Sequence, residues 1–485
     1  MGRAGIHRRA GALMAWYFFP RMLASAMTIV VLVVLTRVLG PADFGRYNIT
    51  LVFGTVGYSF IFAWLAAAIV RFHNTPEFAG KVVANVLDTG IKLTLLLIPV
   101  VGLGYFLVPV DYRFAFFLGA IFCVAHSMQE VGLAGLRVYN SGPAYGAVTV
   151  VRPALGVLLV LVFVAFGGGY VSAVAGMSLG AAITGVYALN KVHKRSGLEK
   201  ASREKLKSFF IFGEPLAVVT SGSMLIVLLS QFYLALFLDL GAVGIFAAAQ
   251  TLAMRSIAMP MAMLSRASAA SIFHAYEVGG HDASGRELTR HFSYLMLISV
   301  PIAATLIFAN DTVSMIMFGK VYKATVSRQL PLLAIAAFIT GVQGAYFAYA
   351  FTLSRKTVTQ VFIMIGTTLA HAVISPVTIY FLGGLGASLA VLLTGILSSF
   401  TYIYLGRAHF PVSIPFEEFW KTGAAALAYV PFAIAADYQS SMPWAVTLLI
   451  LGLIVFSAVL GVVRQAGFMI ALSKFQSVYR KYSKS

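Results

Sequence analysis

The chain has 485 residues, 60% of them apolar and 11% charged, with a mean hydropathy of +0.89. A soluble domain carries about 25% charged residues, so these figures exclude an ordinary water-soluble protein and imply a polytopic membrane protein. The formal charge of +19 needs no nucleic acid to balance it, because basic loops facing anionic headgroups are usual in this class, and no nucleic-acid partner is expected.

Fourteen apolar stretches are each about long enough to cross a bilayer as a helix. In chain order they are residues 14–35, 47–70, 86–108, 114–136, 144–166, 171–189, 209–237, 243–270, 292–309, 330–351, 358–381, 386–405, 419–436 and 443–463. Long runs rather than short alternating segments mean helices, because a helix satisfies its own backbone hydrogen bonds in lipid. The expected fold is an all-α polytopic membrane protein of about 14 transmembrane helices. Two parallel six-helix repeats would surround a central cavity, with two further helices at the C-terminus.

Arg3, Arg8 and Arg9 precede the first stretch, which contains Arg21. It is too long for a signal peptide and lacks a small-residue cleavage site, so an uncleaved first helix is expected. With the N-terminus in the cytoplasm, most Lys and Arg fall in cytoplasmic segments, above all Lys191, Lys194, Arg195, Lys200, Arg203, Lys205 and Lys207. The positive-inside rule then places both termini inside. The lone Cys123 lies in the fourth stretch, where packing is its expected role.

The basic loop at 190–208 separates the first twelve stretches into two sets of six. The expected divisions are an N-terminal lobe at 1–190, a basic cytoplasmic linker at 191–208 and a C-terminal lobe at 209–405. Helices 13 and 14 occupy 406–463, and an amphipathic cytoplasmic tail occupies 464–485. In that tail Phe468, Leu472, Phe475, Tyr479 and Tyr482 recur at near-helical spacing. The turn after each set's first helix recurs loosely: Gly40-Pro41-Ala42-Asp43-Phe44-Gly45-Arg46-Tyr47 and Gly241-Ala242-Val243-Gly244-Ile245-Phe246. Glycine suits the chain reversal, and the aromatic residue after it suits the headgroup boundary. Parallel repeats of this kind usually enclose a site that opens alternately to each side.

Charges within apolar stretches cost several kcal/mol unless they face water or a partner, so they are the candidate functional groups. Asn85, Asp88 and Lys92 share a helical face, and Asp88 with Lys92 has the spacing of an ion pair. The pair reads either as structural or as a lumen-facing relay. His126, Glu130 and Arg137 fall within a narrow arc. Glu130 is either an ion-coupling carboxylate or a solvated group near the cytoplasmic end. Tyr145, Thr149 and Arg152 form a polar stripe, and Arg152 precedes Pro153, where a helix can bend and line a cavity.

Arg255 and Arg266 lie nearly on one face, about 16 Å apart along the axis. Guanidinium matches phosphate as a bidentate fork, so the pair suggests an anionic ligand, with snorkelling of Arg266 to the inner surface as the alternative. Gly213 and Pro215 mark a candidate hinge. No P-loop, H-E-x-x-H or G-x-S-x-G motif is present. Transport without a cofactor or metal is the economical reading, and no enzyme activity is expected.

The stretch Thr36-Arg37-Val38-Leu39-Gly40-Pro41-Ala42-Asp43-Phe44-Gly45-Arg46-Tyr47 resembles the opening signature of bacterial polysaccharide flippases, an Arg-x-Leu-Gly-Pro-x-x-Phe-Gly-x-Tyr turn. The turn beginning Val243-Gly244-Ile245-Phe246 resembles that family's second-half pattern, with Phe246 in place of Tyr. The chain is thus similar to the O-antigen and exopolysaccharide branch of the multidrug/oligosaccharidyl-lipid/polysaccharide exporter superfamily. The resemblance implies alternating-access export of a polyprenyl-diphosphate-linked oligosaccharide from the cytoplasmic to the outer leaflet of the bacterial inner membrane. Membrane lipids, a polysaccharide polymerase and the synthesis enzymes are the further partners it implies.

On that reading Lys92, Arg152, Arg255 and Arg266 are the candidate contacts for the anionic headgroup, and Asp88 and Glu130 the candidate ion-coupling groups. Three alternatives remain: a peptidoglycan-precursor flippase, a multidrug antiporter on the same fold, and a membrane scaffold for polysaccharide synthases.

Overall fold

The computed structural model describes residues 3–73, 75, 81–108 and 110–473, and for 3–18, 111 and 214–221 the backbone alone. The described residues form helices and no strand. They fall into two compact units, Met1–Ala247 and Ala248–Ser485. The first contains α1 (Arg3–Val38), α2 (Pro41–Ile61), α3 (Ala63–Phe72), α4 (Val82–Leu107), α5 (Val110–Val138), α6 (Gly142–Ala165), α7 (Gly169–Ser196), α8 (Arg203–Phe237) and the start of α9 (Leu240–Ala253). The second holds the end of α9, a π-helical turn at Met254–Ala258, α10 (Met259–Phe308), α11 (Asn310–Met317) and α12 (Lys323–Val342). A second π turn at Gln343–Phe347 follows, then α13 (Tyr349–Leu353), α14 (Thr357–Leu382), α15 (Gly384–His409), α16 (Phe416–Asp437) and α17 (Met442–Val462).

Among the described residues, 11 helical stretches are long and apolar enough to cross a membrane, or 12 if α2 and α3, bent by 45°, form one span. One of them, Leu240–Phe308, has 69 residues. At 1.5 Å per residue it is about 100 Å long, roughly three hydrocarbon thicknesses, so it is not a single crossing. It breaks at Gly279 and Gly280, where φ reaches 60°, and covers both of the apolar stretches expected at 243–270 and 292–309.

Local chemistry fixes the helix ends. Pro41 opens α2, where its missing N–H costs nothing and its fixed φ suits the first turn. Ser202 caps α8 by accepting from the Lys205 amide at 3.3 Å. After α5, α13 and α17 the chain turns through left-handed Asn140, Arg355 and Arg464. Each turn is closed by a backbone bond to the carbonyl five residues back, such as Lys356 to Phe351 at 2.8 Å.

The two recurring turns meet inside the first unit. A methyl group on Gly45 would fall on the Leu240 carbonyl oxygen and 3.0 Å from the Gly244 amide nitrogen. One on Gly244 would fall on the Pro41 carbonyl and 2.9 Å from the Gly45 nitrogen. Each repeat's glycine is therefore the contact surface of the other's, and backbone approach rather than chain reversal explains both. The aromatic residues of these turns also depart from expectation. Phe44, Tyr47 and Phe246 are 2%, 4% and 0% exposed, so they pack in the protein interior instead of at the headgroup boundary.

The candidate hinge at Gly213 and Pro215 lies within a continuous α8, and the Pro215 side chain lies outside the described residues. Gly213 packs against the Trp64 backbone, where an added Cβ would sit 2.7 Å from the Trp64 Cα. Close crossing of α3 and α8 is thus the structural use of this glycine.

In the second unit, Glu418 of α16 is 6% exposed. It accepts from the Ser293 hydroxyl of α10 and from the Ala466 amide that begins the helix after α17, both at 3.0 Å. Gln465 completes the staple by donating to the Ser293 carbonyl at 2.9 Å. Of the apolar and aromatic residues expected to form the amphipathic tail, Phe468 and Leu472 lie on the helix this staple starts, while Phe475, Tyr479 and Tyr482 lie outside the described residues. Glu418→Ala leaves these buried donors unmade, which costs about 1–3 kcal/mol. A lowered thermal midpoint of the detergent-solubilised protein is expected, and an unchanged midpoint would show that the staple contributes no stability.

Candidate functional site

Several in-span charges of the first unit lie in two layers on α1, α5 and α6, with tyrosines of α2 in the second. α6 packs against α1 and α7, and α5 against α2 and α7. In the layer nearest the turn between α5 and α6, Tyr145 is fully buried. Its hydroxyl accepts from Arg21 Nε at 2.7 Å and from Arg137 Nη2 at 3.4 Å. Both guanidinium groups also stand over the Tyr145 ring, 5.9 and 5.7 Å from its centroid, a cation–π arrangement. Two cations from α1 and α5 thus converge on one phenol of α6.

The second layer lies two helical turns deeper, about 10 Å along α5 and α6. There Arg152 interacts electrostatically with Glu130 and Tyr47, and His126 with Arg152. Tyr58 stands beside Glu130 and meets the His126 ring edge-on at 4.7 Å, while Phe122 stacks on its face at 5.6 Å. His126 Nδ1 is buried with no hydrogen-bond partner among the described residues. Pro153 follows Arg152 and has no N–H for the Thr149 carbonyl, leaving that backbone oxygen available to a donor. The two layers together hold Arg21, Arg137 and Arg152, with Glu130 beside Arg152, a largely cationic set suited to a multiply charged anion.

The remaining sequence-level candidates are distributed elsewhere. Lys92 is ion-paired with Asp88 one turn away on α4, with its side chain 57% exposed and that of Asp88 19%, which fits the structural reading of the pair. Asn85, on the same helix, is fully buried and donates to the Glu199 carbonyl at 3.0 Å, while neighbouring Lys81 pairs with the Glu199 carboxylate at 3.2 Å. The α7–α8 connection is tied to the start of α4 in this way.

Arg255 and Arg266 belong to the second unit. Arg266 is exposed and Arg255 half-buried. Arg255 sits on the π turn, where the Met259 amide reaches back five residues to the Met254 carbonyl. Pro260 explains the widening, since its ring would crowd the Ser256 carbonyl of a regular helix. Near the other π turn, His291 Nε2 meets the Ala345 carbonyl at 3.0 Å and Nδ1 meets the Ser268 hydroxyl at 3.1 Å, so these buried polar groups are satisfied. No cluster of three or more metal-ligating side chains occurs among the described residues.

Arg21 was not legible as a site residue, because a lone cation in the first apolar stretch reads mainly as evidence against a cleavable leader. Its charge inside a span was the available signal. Its partner Tyr145 lies 124 residues away in sequence, a convergence no local spacing encodes.

Residues 12–272 match the family described as "Polysaccharide biosynthesis protein". No curated protein sequence matches the chain. Among solved structures, the chain is similar to "Lipid II flippase MurJ, inward closed conformation", at 13% identity and TM-score 0.72, over 93% of this chain and 98% of that one. It is also similar to an inward-facing multidrug resistance MATE family transporter of the MOP superfamily, at 15% identity and TM-score 0.60, over 82% and 94%. A MOP superfamily transporter from Pyrococcus furiosus, with a binding pocket of reversed polarity, matches at 15% identity and TM-score 0.58, over 82% and 95%. At these identities the likeness is one of fold, shared with transporters and flippases rather than enzymes.

Proposed function

Because the chain belongs to the polysaccharide biosynthesis protein family, we propose that it is a flippase carrying a polyprenyl-diphosphate-linked oligosaccharide from the cytoplasmic to the outer leaflet of the bacterial inner membrane. The observation that carries this reading is the convergence of Arg21 and Arg137 on Tyr145, two turns from Arg152 and Glu130. A diphosphate requires cations in a fork geometry, and guanidinium supplies it. The sugar hydroxyls each cost roughly 2–7 kcal/mol to bury unpaired, so a polar path is needed for the headgroup alone. The prenyl tail stays in lipid. An apolar cleft of about 700 Å³ between α4 and α5, lined by Leu97, Phe106, Ile121 and Met128 among others, offers it a surface in the same unit.

With both termini inside, the layer containing Arg21 and Arg137 is at the cytoplasmic end and meets the headgroup first. Arg152, Glu130 and the unpartnered His126 nitrogen then offer the next contacts. Alternating access completes the transfer. An inside-negative potential assists the outward step by about 2.3 kcal/mol per charge per 100 mV.

The test is a proteoliposome assay with a fluorescent polyprenyl-diphosphate disaccharide and a membrane-impermeant quencher. Wild-type protein is expected to make the inner-leaflet pool quenchable, and protein-free rates would remove the flippase reading. Coupling is tested in the same assay. Since Asp88 is paired with Lys92 whereas Glu130 faces Arg152, Asp88→Asn is expected to retain flipping and Glu130→Gln to lose at least tenfold. The reverse ranking would transfer the coupling role to α4.

The fold likeness to a lipid II flippase favours one second reading, a peptidoglycan-precursor carrier. Competition in the assay between lipid II and the oligosaccharide lipid separates the two.

A further inference from the structure

We propose that the second unit carries a separate binding site for a sugar phosphate, in the cleft at the bend of α10. The cleft has a volume of about 450 Å³ and is lined by Phe273, Tyr276, Glu277, His281 and Arg355 among others, within the range of small-molecule sites. The double glycine opens it. Gly280 has φ 60° and ψ −145°, a conformation essentially reserved for glycine. No atom lies within 4 Å of the position a Cβ would take there, so backbone shape rather than packing accounts for the residue.

The walls combine the three chemistries that an anionic sugar requires. First, the aromatic side is held in place. His281 stacks on Phe410 with ring centroids 4.2 Å apart, and Tyr276 stands edge-on to both, at 6.0 and 5.8 Å. Phe273 packs edge-on against Tyr349 at 6.2 Å, whose hydroxyl donates to the Ser265 carbonyl at 2.9 Å. Rigid aromatic faces take the apolar C–H face of a pyranose with little ordering cost. Second, Glu277 supplies acceptor-only oxygens for sugar hydroxyls. Third, Arg355 supplies the phosphate fork. The ion pairs among the described residues include neither Glu277 nor Arg355.

Arg355 is also held at φ 59°, at the left-handed position closing α13, where glycine is unstrained and an arginine is not. Asn140 and Arg464 occupy equivalent caps, but Arg355 is the one that lines this cleft. An outlier of this kind in a cleft is a reason to look for a ligand. The choice of a sugar as the phosphate's carrier rests on the flippase reading; the cleft and its charges do not. Two sources share the chemistry: the headgroup of the lipid-linked glycan and a soluble nucleotide sugar.

The experiment uses the full-length protein in nanodiscs and a panel of hexose and N-acetylhexosamine 1-phosphates, with the free sugars and inorganic phosphate as controls. At least one sugar phosphate is expected to bind tenfold or more tightly than its free sugar or phosphate alone. Tyr276→Ala and Arg355→Gly are each expected to weaken it at least tenfold. Arg355→Gly, which relieves the backbone, is expected to keep or raise the thermal midpoint, so its loss of binding cannot be ascribed to unfolding. Tighter binding of a nucleotide sugar assigns the site to a soluble donor, and tighter binding of a short lipid-linked glycan assigns it to the carried lipid.

Failure of the whole panel, or unchanged binding in both variants, overturns the proposal. Arg21→Ala protein that no longer flips but still binds the sugar phosphate would leave this site standing on its own. Wild-type protein that binds it but flips nothing would remove the carrier reading alone.

Discussion

Gly45→Val is expected to abolish accumulation of folded protein in the membrane, and Gly244→Val to do the same. The two glycines lie against each other's backbone, with Leu240 and Pro41 carbonyls where the new side chains would go. Backbone atoms at a helix start cannot rotate away as a side-chain tip can, so the α2 and α9 ends must separate. Overpacking in a filled interior costs about 1–3 kcal/mol even where side chains can yield, and here they cannot. Because both substitutions separate the same pair of helix ends, the double variant is expected to be little worse than either single one. Gly40→Ala is the control. It has φ −67° and no atom within 4 Å of its Cβ position, so its effect should stay within about 0.5 kcal/mol. Fluorescence size-exclusion profiles and thermal midpoints measure all four. A Gly45→Val protein with a wild-type profile would show that the crossing is not needed.

The second large effect concerns the headgroup. Arg21→Ala and Arg137→Ala are each expected to weaken binding of a polyprenyl-diphosphate glycan roughly 10- to 100-fold, the value of one charge-assisted hydrogen bond of about 1.5–3 kcal/mol. Lysine at either position should restore only part, since it lacks the planar fork. Tyr145→Phe removes the shared acceptor but keeps the ring under both guanidinium groups. A loss under tenfold is therefore expected. Binding to nanodisc-embedded protein measures the series, and equal affinities in wild type and Arg21→Ala would take the α1 cation out of the site.

Much of the architecture was legible because lipid imposes a strong pattern: long apolar runs, basic loops and sparse in-span charges. The separation of the 243–270 and 292–309 stretches was visible as a polar interval, and the structure marks it with the Gly279-Gly280 break. What hydropathy does not carry is partnership. Gly45 and Gly244 were visible as a recurrence, yet their reciprocal contact was not, because sequence similarity does not reveal which backbones touch. Tyr47 and Phe246 read as headgroup-boundary residues in the sequence because an aromatic residue at a span end suits either that boundary or the core, and composition cannot separate the two.

The Asp88 and Lys92 pair, on α4 outside the two layers, followed from spacing along one helix, as did the arc of His126, Glu130 and Arg137 within them. The meeting of Arg21, Arg137 and Tyr145 depends on three helices and left no periodic trace. The π turn at Arg255 follows from Pro260 only after the helix is known to continue past it.

The most direct test of flippase function is made in cells lacking the gene, by mass spectrometry of polyprenyl-diphosphate-linked oligosaccharide with an impermeant reagent marking the outer-leaflet fraction. Accumulation of unmarked, cytoplasm-facing lipid is expected, reversed by wild type and not by an Arg21→Ala/Arg137→Ala variant expressed at the same level. An unchanged sidedness of that pool would contradict the account.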